Sequence, residues 1–126
     1  LGDVYKRQPV ELFPDILDHL RSAQHNEYQE WDHDYAGFSR TAQEEGFPEI
    51  AHIFSMIAGI EKTHGDRFGK FAELLEQDKL FVSDVQVKWM CLNCGQIIDA
   101  TMAPAVCPVC KHPQGYFIRW EMAPFE

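Results

Sequence analysis

Four pairs of side chains in this 126-residue sequence are spaced for metal chemistry. Cys91 and Cys94 form one C-x-x-C pair and Cys107 and Cys110 a second, with twelve residues between them. Such a pair lets both sulfurs reach one ion, and two pairs close a tetrahedron. Structural zinc and a single redox iron use the same four thiolates, so the residues leave that choice open. Glu61 and His64 are three residues apart, as are Glu27 and Glu30. In a helix that spacing puts both members of a pair on one face. Hard carboxylate oxygens with a borderline imidazole suit iron or manganese. The alternative for these four residues is a buried cluster of inter-helix salt bridges.

Helices are the elements that must position the carboxylates. Ile50, Ile53, Phe54 and Ile57 precede Glu61, and Phe68, Phe71 and Leu75 follow it, in steps of three and four. Glu61 and His64 continue the stripe, so they are expected to point inward, where an unpaired charge is expensive. A first long helix is expected from about Asp15 to Glu45. Its inward positions are Leu17, Leu20, Gln24, Glu27, Glu30 or Trp31, Tyr35, Phe38 and Ala42. Gly46 suits a helix stop, because it tolerates positive φ, and Pro48 suits the first turn of a second helix running to about Gln77. Gly59, Gly65 and Gly69 weaken that helix and are expected to permit close helix approach. The short turn makes the helices antiparallel neighbours. Glu27 and Glu30 centre 17.5 residues before Gly46, and Glu61 and His64 centre 16.5 after it. The two pairs therefore lie at nearly the same height. Tyr35, on the same face, is either a hydrogen-bond donor to a ligand carboxylate or a core aromatic. Trp31 is expected to pack, His19, His25, His33 and His52 to be surface or capping residues, and His112 to face solvent.

Residues 80–90 alternate as an extended segment, with Phe81, Val85, Val87 and Trp89 on one side. Gly95 and Pro108 suit the tight turns of a cysteine knuckle, and Tyr116 to Trp120 reads as a closing strand. Leu1 to Gln8 fits no pattern, and residues 1–14 are expected to be a non-native or disordered leader and linker. Residues 15–79 form a helical hairpin and 80–126 a four-cysteine domain. The net charge is −9 and sits on the N-terminal part: residues 1–90 hold 9 basic and 17 acidic side chains. That balance argues against nucleic acid and anionic membranes as partners. No apolar run reaches the length of a membrane span, and no secretory leader is visible. Four cysteines in knuckle spacing indicate a reducing compartment.

The stretch Glu27-Tyr-Gln-Glu30-Trp31, Tyr35, Glu44-Glu45-Gly46-Phe47, Ile50-Ala51, Phe54, Ile57-Ala58, Glu61-x-x-His64 and Arg67-Phe68 resembles the second half of the rubrerythrin bundle. Lys88-Trp89-x-Cys91-x-x-Cys94-Gly95 with Ala103-Pro104-x-x-Cys107-Pro-x-Cys110 resembles its rubredoxin-like tail. The resemblance covers roughly residues 15–120. It implies an antiparallel hairpin, half of a ferritin-like four-helix bundle, followed by a small β metal knuckle. It further implies a cytoplasmic peroxidase that reduces hydrogen peroxide to water at a di-iron site. Glu27, Glu30, Glu61 and His64 would be the di-iron ligands, with Tyr35 beside them. Cys91, Cys94, Cys107 and Cys110 would hold a mononuclear iron, with zinc possible there. That iron would relay electrons from a redox partner protein, a rubredoxin or an NAD(P)H-dependent reductase. The family's first helix pair supplies a further Glu and another Glu-x-x-His, and neither has a counterpart before residue 20. The expectation is therefore an N-terminally truncated rubrerythrin whose bundle two copies could complete as a homodimer. Two other functions compete: an electron carrier with the cysteine iron as its one active centre, and a zinc-ribbon interaction module.

Overall fold

The computed structural model describes residues 13–123. The expected leader, Leu1 to Gln8, lies outside them. The chain divides into two compact units, Leu1–Glu73 and Leu74–Glu126. In the first, α1 (Ile16–Gln29) starts at Asp15, whose carboxylate accepts the Leu17 N–H at 2.9 Å. A π-helical turn, Glu30–Asp34, then leads into α2 (Tyr35–Glu44). One continuous α-helix from Asp15 to Glu45 was expected, so this is a correction. Within the π turn the Tyr35 N–H reaches back five residues to the Glu30 carbonyl. No Gly or Pro marks the insertion in the sequence, and such turns recur at functional sites.

The turn out of α2 is built as expected. Gly46 has φ 85°, and the Phe47 and Gly46 N–H groups bond the Ala42 and Gln43 carbonyls at 2.8 and 3.2 Å. This closes the last helix carbonyls in a Schellman motif. Pro48 begins α3 (Pro48–Glu76). That helix ends in the same way, with Asp78 rather than glycine at positive φ (55°) and the Lys79 N–H on the Leu74 carbonyl at 2.7 Å.

The seam of the hairpin differs from the expected stripe. Ile50 and Ile53 are each 45% exposed, whereas Ala51 and Ala58 are buried. Gly65 and Ala72 are buried as well, continuing a seven-residue spacing. Small residues let the helices approach, and the isoleucines take the adjacent face. Ser39 Oγ donates to the Ala51 carbonyl at 2.8 Å, and the Tyr28 hydroxyl donates to Asp66 at 2.7 Å. Together with Gln24 against Gly69, these contacts run in reverse order along the two helices, as an antiparallel pair requires. Gly59 meets nothing within 4 Å, so of the three helical glycines only Gly65 and Gly69 serve close approach.

In the second unit, β1 (Val82–Cys91) pairs antiparallel with β2 (Ile97–Met102) on one side and β3 (Phe117–Arg119) on the other. Trp89, Cys91, Ala103, Cys107 and Phe117 form the buried core, with Phe81, Val87 and Ile98 against it. Val85 does not share that side as expected: it is exposed. The β1–β2 register shifts between Val82 and Val87, which breaks the alternation there.

A Cβ on Gly65 would lie 2.5 Å from the Tyr28 ring, whereas on Gly69 it would meet the mobile amide end of Gln24. Gly65→Ala is therefore expected to destabilise the hairpin by about 1–3 kcal/mol, overriding its gain in helix propensity. Gly69→Ala is expected to be near-neutral. Urea unfolding followed by helical circular dichroism checks both, and a Gly65→Ala chain more stable than wild type would refute the close-approach account.

Candidate metal centres

Glu27 on α1 and Glu61 and His64 on α3 meet across the hairpin. Each offers a ligand atom, and the three atoms lie within 4.8 Å of one another. His64 Nδ1 is 2.8 Å from Glu61 Oε2 and 3.5 Å from Glu27 Oε2. The side chains of Glu61 and Glu27 are 15% and 24% exposed, while that of His64 is 46% exposed, so the cluster opens on the His64 side. Glu30, on the π turn, is not one of the three converging residues. It remains within electrostatic reach of Glu61 and His64. Tyr35 meets the Phe38 ring edge-on and the Phe54 ring at a tilt, and its hydroxyl feels Glu30 and Glu61.

The electrostatics favour a cation. Burial raises the Glu27 carboxyl above its ordinary range, and a hydrogen bond with Glu61 and the Glu61 charge add to this, opposed by His64. Burial likewise raises Glu30, assisted by the charges of Glu61 and Asp34. Tyr35 is raised by burial, then by Glu30, Glu61 and Asp34. The neighbouring Lys62 does not serve this cluster: it bonds Asp66 at 2.7 Å and lies over the Trp31 ring at 5.3 Å. Two carboxylates and an imidazole, short of positive charge, are a donor set for a hard or borderline divalent cation.

The cysteine knuckle is made of two equivalent turns. The Gly95 N–H bonds the Cys91 carbonyl at 2.8 Å, and the Lys111 N–H bonds the Cys107 carbonyl at 3.0 Å. Both fifth residues have positive φ, 78° and 65°. The second turn achieves this with a lysine, whose ammonium donates to the Pro108 carbonyl at 2.8 Å. Sulfurs from opposite turns lie 3.6 Å (Cys91–Cys110) and 3.7 Å (Cys94–Cys107) apart. A tetrahedral ion with bonds of about 2.3 Å has sulfur–sulfur edges of about 3.8 Å, so the four residues fit one metal. Cys91 and Cys107 are buried and Cys94 is exposed. Without metal, the His112 main-chain N–H holds the Cys110 thiol down to about 5. The Gln96 N–H pulls Cys94 down, but burial and the hydrogen bonds from the other cysteines outweigh it and push that thiol up to about 12. His112 itself, expected at the surface, is half-buried against Tyr116, with ring centroids 4.4 Å apart.

A carboxylate–histidine cluster on a helical hairpin, followed by a four-sulfur knuckle, defines a two-site metalloprotein. Residues 4–88 match the Rubrerythrin family model and residues 89–118 match the Rubrerythrin, rubredoxin-like domain. This chain belongs to the rubrerythrin family. It is 47% identical to a rubrerythrin of Clostridium perfringens over 86% of this chain and 56% of that protein. It is 37% identical to one of Nitratidesulfovibrio vulgaris over 86% of this chain and 57% of that protein. A solved structure of partially reduced nigerythrin aligns with 94% of this chain and 56% of its own, with TM-score 0.49 and 24% identity. The chain thus spans about half the length of the curated relatives it matches. The family uses iron, and both donor sets here fit it. Among the described residues, no helix is long and apolar enough to cross a membrane.

The carboxyl shifts give the metal-free hairpin a signed pH dependence. With Glu27 and Glu30 raised above 4.5, the folded chain binds more protons than the unfolded chain from pH 4.5 upward to the raised values. Stability therefore falls as pH rises through that window. Asp66 and Asp84, held below 3.8 by Lys62 and Lys79, contribute stability that is lost as pH falls below 3.8. The metal-free helical unit, followed by its helical circular dichroism in urea, is therefore expected to lose stability as pH rises from 4.5 through the raised carboxyl values, whereas the Cys110 thiol acts in the opposite sense on the knuckle. Saturating divalent cation should abolish the fall. A helical-unit midpoint climbing steadily from pH 4.5 to 7 without metal would contradict the assignment.

Proposed function

We propose that this chain carries out peroxidase chemistry of rubrerythrin type, reducing hydrogen peroxide to water with electrons relayed through its four-cysteine site. The observation that carries the reading is the convergence of Glu27, Glu61 and His64 within 4.8 Å in a chain that also holds a four-sulfur site. Glu27, Glu30, Glu61 and His64 would be ligands of a di-iron centre that a second copy of the hairpin completes, and Cys91, Cys94, Cys107 and Cys110 would hold a further iron. When bound, the iron supplies the two electrons that, with two protons, turn one peroxide into two waters. Residues 15–79 are the peroxide-reducing part in this reading and residues 80–126 the electron relay. The electrons would come from a redox partner protein, a rubredoxin or an NAD(P)H-dependent reductase, in the cytoplasm.

The chain's own residues supply the rest. Without metal the Glu27 and Glu30 carboxyls are raised, so they would give up their protons on taking up a cation, and metal uptake would be linked to proton release. Tyr35 keeps its hydroxyl proton because burial and the nearby carboxylates oppose its loss, which suits it to donate a hydrogen bond to a ligand carboxylate. Ile50, Ile53, Ile57, Ile60 and His64 step by three and four along one face of α3. Ile50, Ile53 and Ile60 on that face are exposed. A second copy of the hairpin laid there would cover the isoleucines and close the cluster on its His64 side, so association and metal binding would be linked.

Glu30 standing outside the converging triad favours a second reading, in which the cysteine site is the sole redox centre and the hairpin a docking element. Metal analysis, sedimentation and peroxide consumption of the iron-loaded chain separate the two. Iron at both sites, a dimer that loosens on chelation, and peroxide turnover support the peroxidase. In Glu61→Ala, turnover is expected to fall at least about 100-fold, while the visible absorption of the cysteine-bound iron persists. Iron at the cysteines alone without turnover would establish the electron-carrier reading, and zinc there an interaction module.

A further inference from the structure

Arg119 lies on β3 opposite Trp89 of β1, two residues from the pair Cys91–Phe117. Its side chain is 18% exposed, and its guanidinium sits 5.6 Å over the Trp89 ring. Among the described residues, its ion-pair partner is Glu121, whose carboxylate is 4.0 Å from Nη1. The close contacts are main-chain carbonyls instead. Nη2 donates to Lys79 at 3.1 Å and to Val82 at 2.6 Å. Nε is buried with no hydrogen-bond partner.

Lys79 and Val82 bracket Phe81. That ring packs against the core of Trp89, Cys91, Cys107 and Phe117, and its carbonyl accepts the Ala103 N–H at 2.9 Å. Residues 79–81 belong to no helix or strand, and they carry the chain from the end of α3 into β1. Two hydrogen bonds from the one nitrogen Nη2 to the flanking carbonyls therefore set the path by which Phe81 enters the knuckle core. The knuckle core has few fully buried side chains, so gathering its strands depends on the four sulfurs closing on an ion. Arg119 reaches the connector only from a formed β3.

We propose that Arg119 is a positioning residue that makes the order of residues 79–82 depend on metal occupancy of the four-cysteine site. Metal gathers the sulfurs, the sulfurs align β3 with β1, and β3 delivers Arg119 to the two carbonyls. The connector is then held when metal is bound and released when it is lost. This inference stands apart from the peroxide reading: it applies to zinc or iron at the cysteines, whether or not the hairpin holds metal.

Backbone 15N relaxation on the full chain tests it, with zinc as the diamagnetic probe. In wild type, order parameters at Leu80, Phe81 and Val82 are expected near about 0.85 with zinc and below about 0.6 after chelation. Arg119→Met keeps an apolar stem on Trp89 but removes every donor. In its zinc-loaded form, Trp89 to Cys91 should stay rigid while residues 80–82 fall toward the chelated values. Arg119→Lys, which keeps a cationic donor, should recover part of the order. A wild-type connector that remains rigid without metal overturns the proposal. So does a zinc-loaded Arg119→Met connector as ordered as wild type. An Arg119→Met chain that takes up no zinc overturns it too, since Arg119 would then be needed to form the knuckle rather than to respond to it.

Discussion

Glu27 and Glu61 hold two carboxylates in hydrogen-bond range across a helical hairpin, and burial opposes the charge on Glu27. Most features of the helical unit answer to that juxtaposition. Helices that bring two short acidic side chains together must come close, and the seam is accordingly lined with Ala51, Ala58, Gly65 and Ala72 rather than isoleucine. Close approach packs the Tyr28 ring against Gly65, beside Glu27 and one turn from Glu61. The repulsion left between the carboxylates is answered within the chain by His64, partly open to water. Lys62 lies one residue from Glu61 and is committed to Asp66 and Trp31 instead. The Lys62 ammonium is thus kept out of the cluster, which leaves the carboxylates poised for a cation.

The two metal-binding units reach their geometry by different routes. In the knuckle, local turns do the work: each C-x-x-C loop closes through one main-chain hydrogen bond and a residue of positive φ, and the loops are near-copies of one another. The sheet then brings the copies together, so that sulfurs from opposite loops approach to the edge length of a tetrahedron. In the hairpin no local turn defines the site. Its ligands come from positions far apart in the chain and depend on helix pairing and height. The π turn at Glu30–Asp34 shows how such a site can be adjusted. One wider turn changes the phase of everything after it, including Tyr35 and Phe38.

The sequence by itself determined the knuckle, the antiparallel hairpin and the shared height of Glu27 with Glu61 and His64. Those follow from spacing, from Gly46 and Pro48 at the turn, and from the constant rise of a helix. Only the tertiary structure decided which face forms the seam. Aliphatic and small residues share the same periodicity on adjacent faces of α3, and periodicity alone cannot separate the two. The π turn was equally illegible, since no Gly or Pro announces it and its hydrogen bonds differ from α-helical ones by one residue. Glu30 falls outside the converging triad, although its spacing from Glu27 is as good as that of His64 from Glu61. Arg119 left no signal in the sequence at all. A lone arginine near a chain end looks like surface charge until β3 is paired beside Trp89 and its Nη2 is seen bonding two distant carbonyls. Spacing along a chain fixes which groups can share an ion or a helix face. Contacts between segments far apart depend on how closely the backbones approach, which side-chain size and hydrogen-bond completion settle only in the folded state.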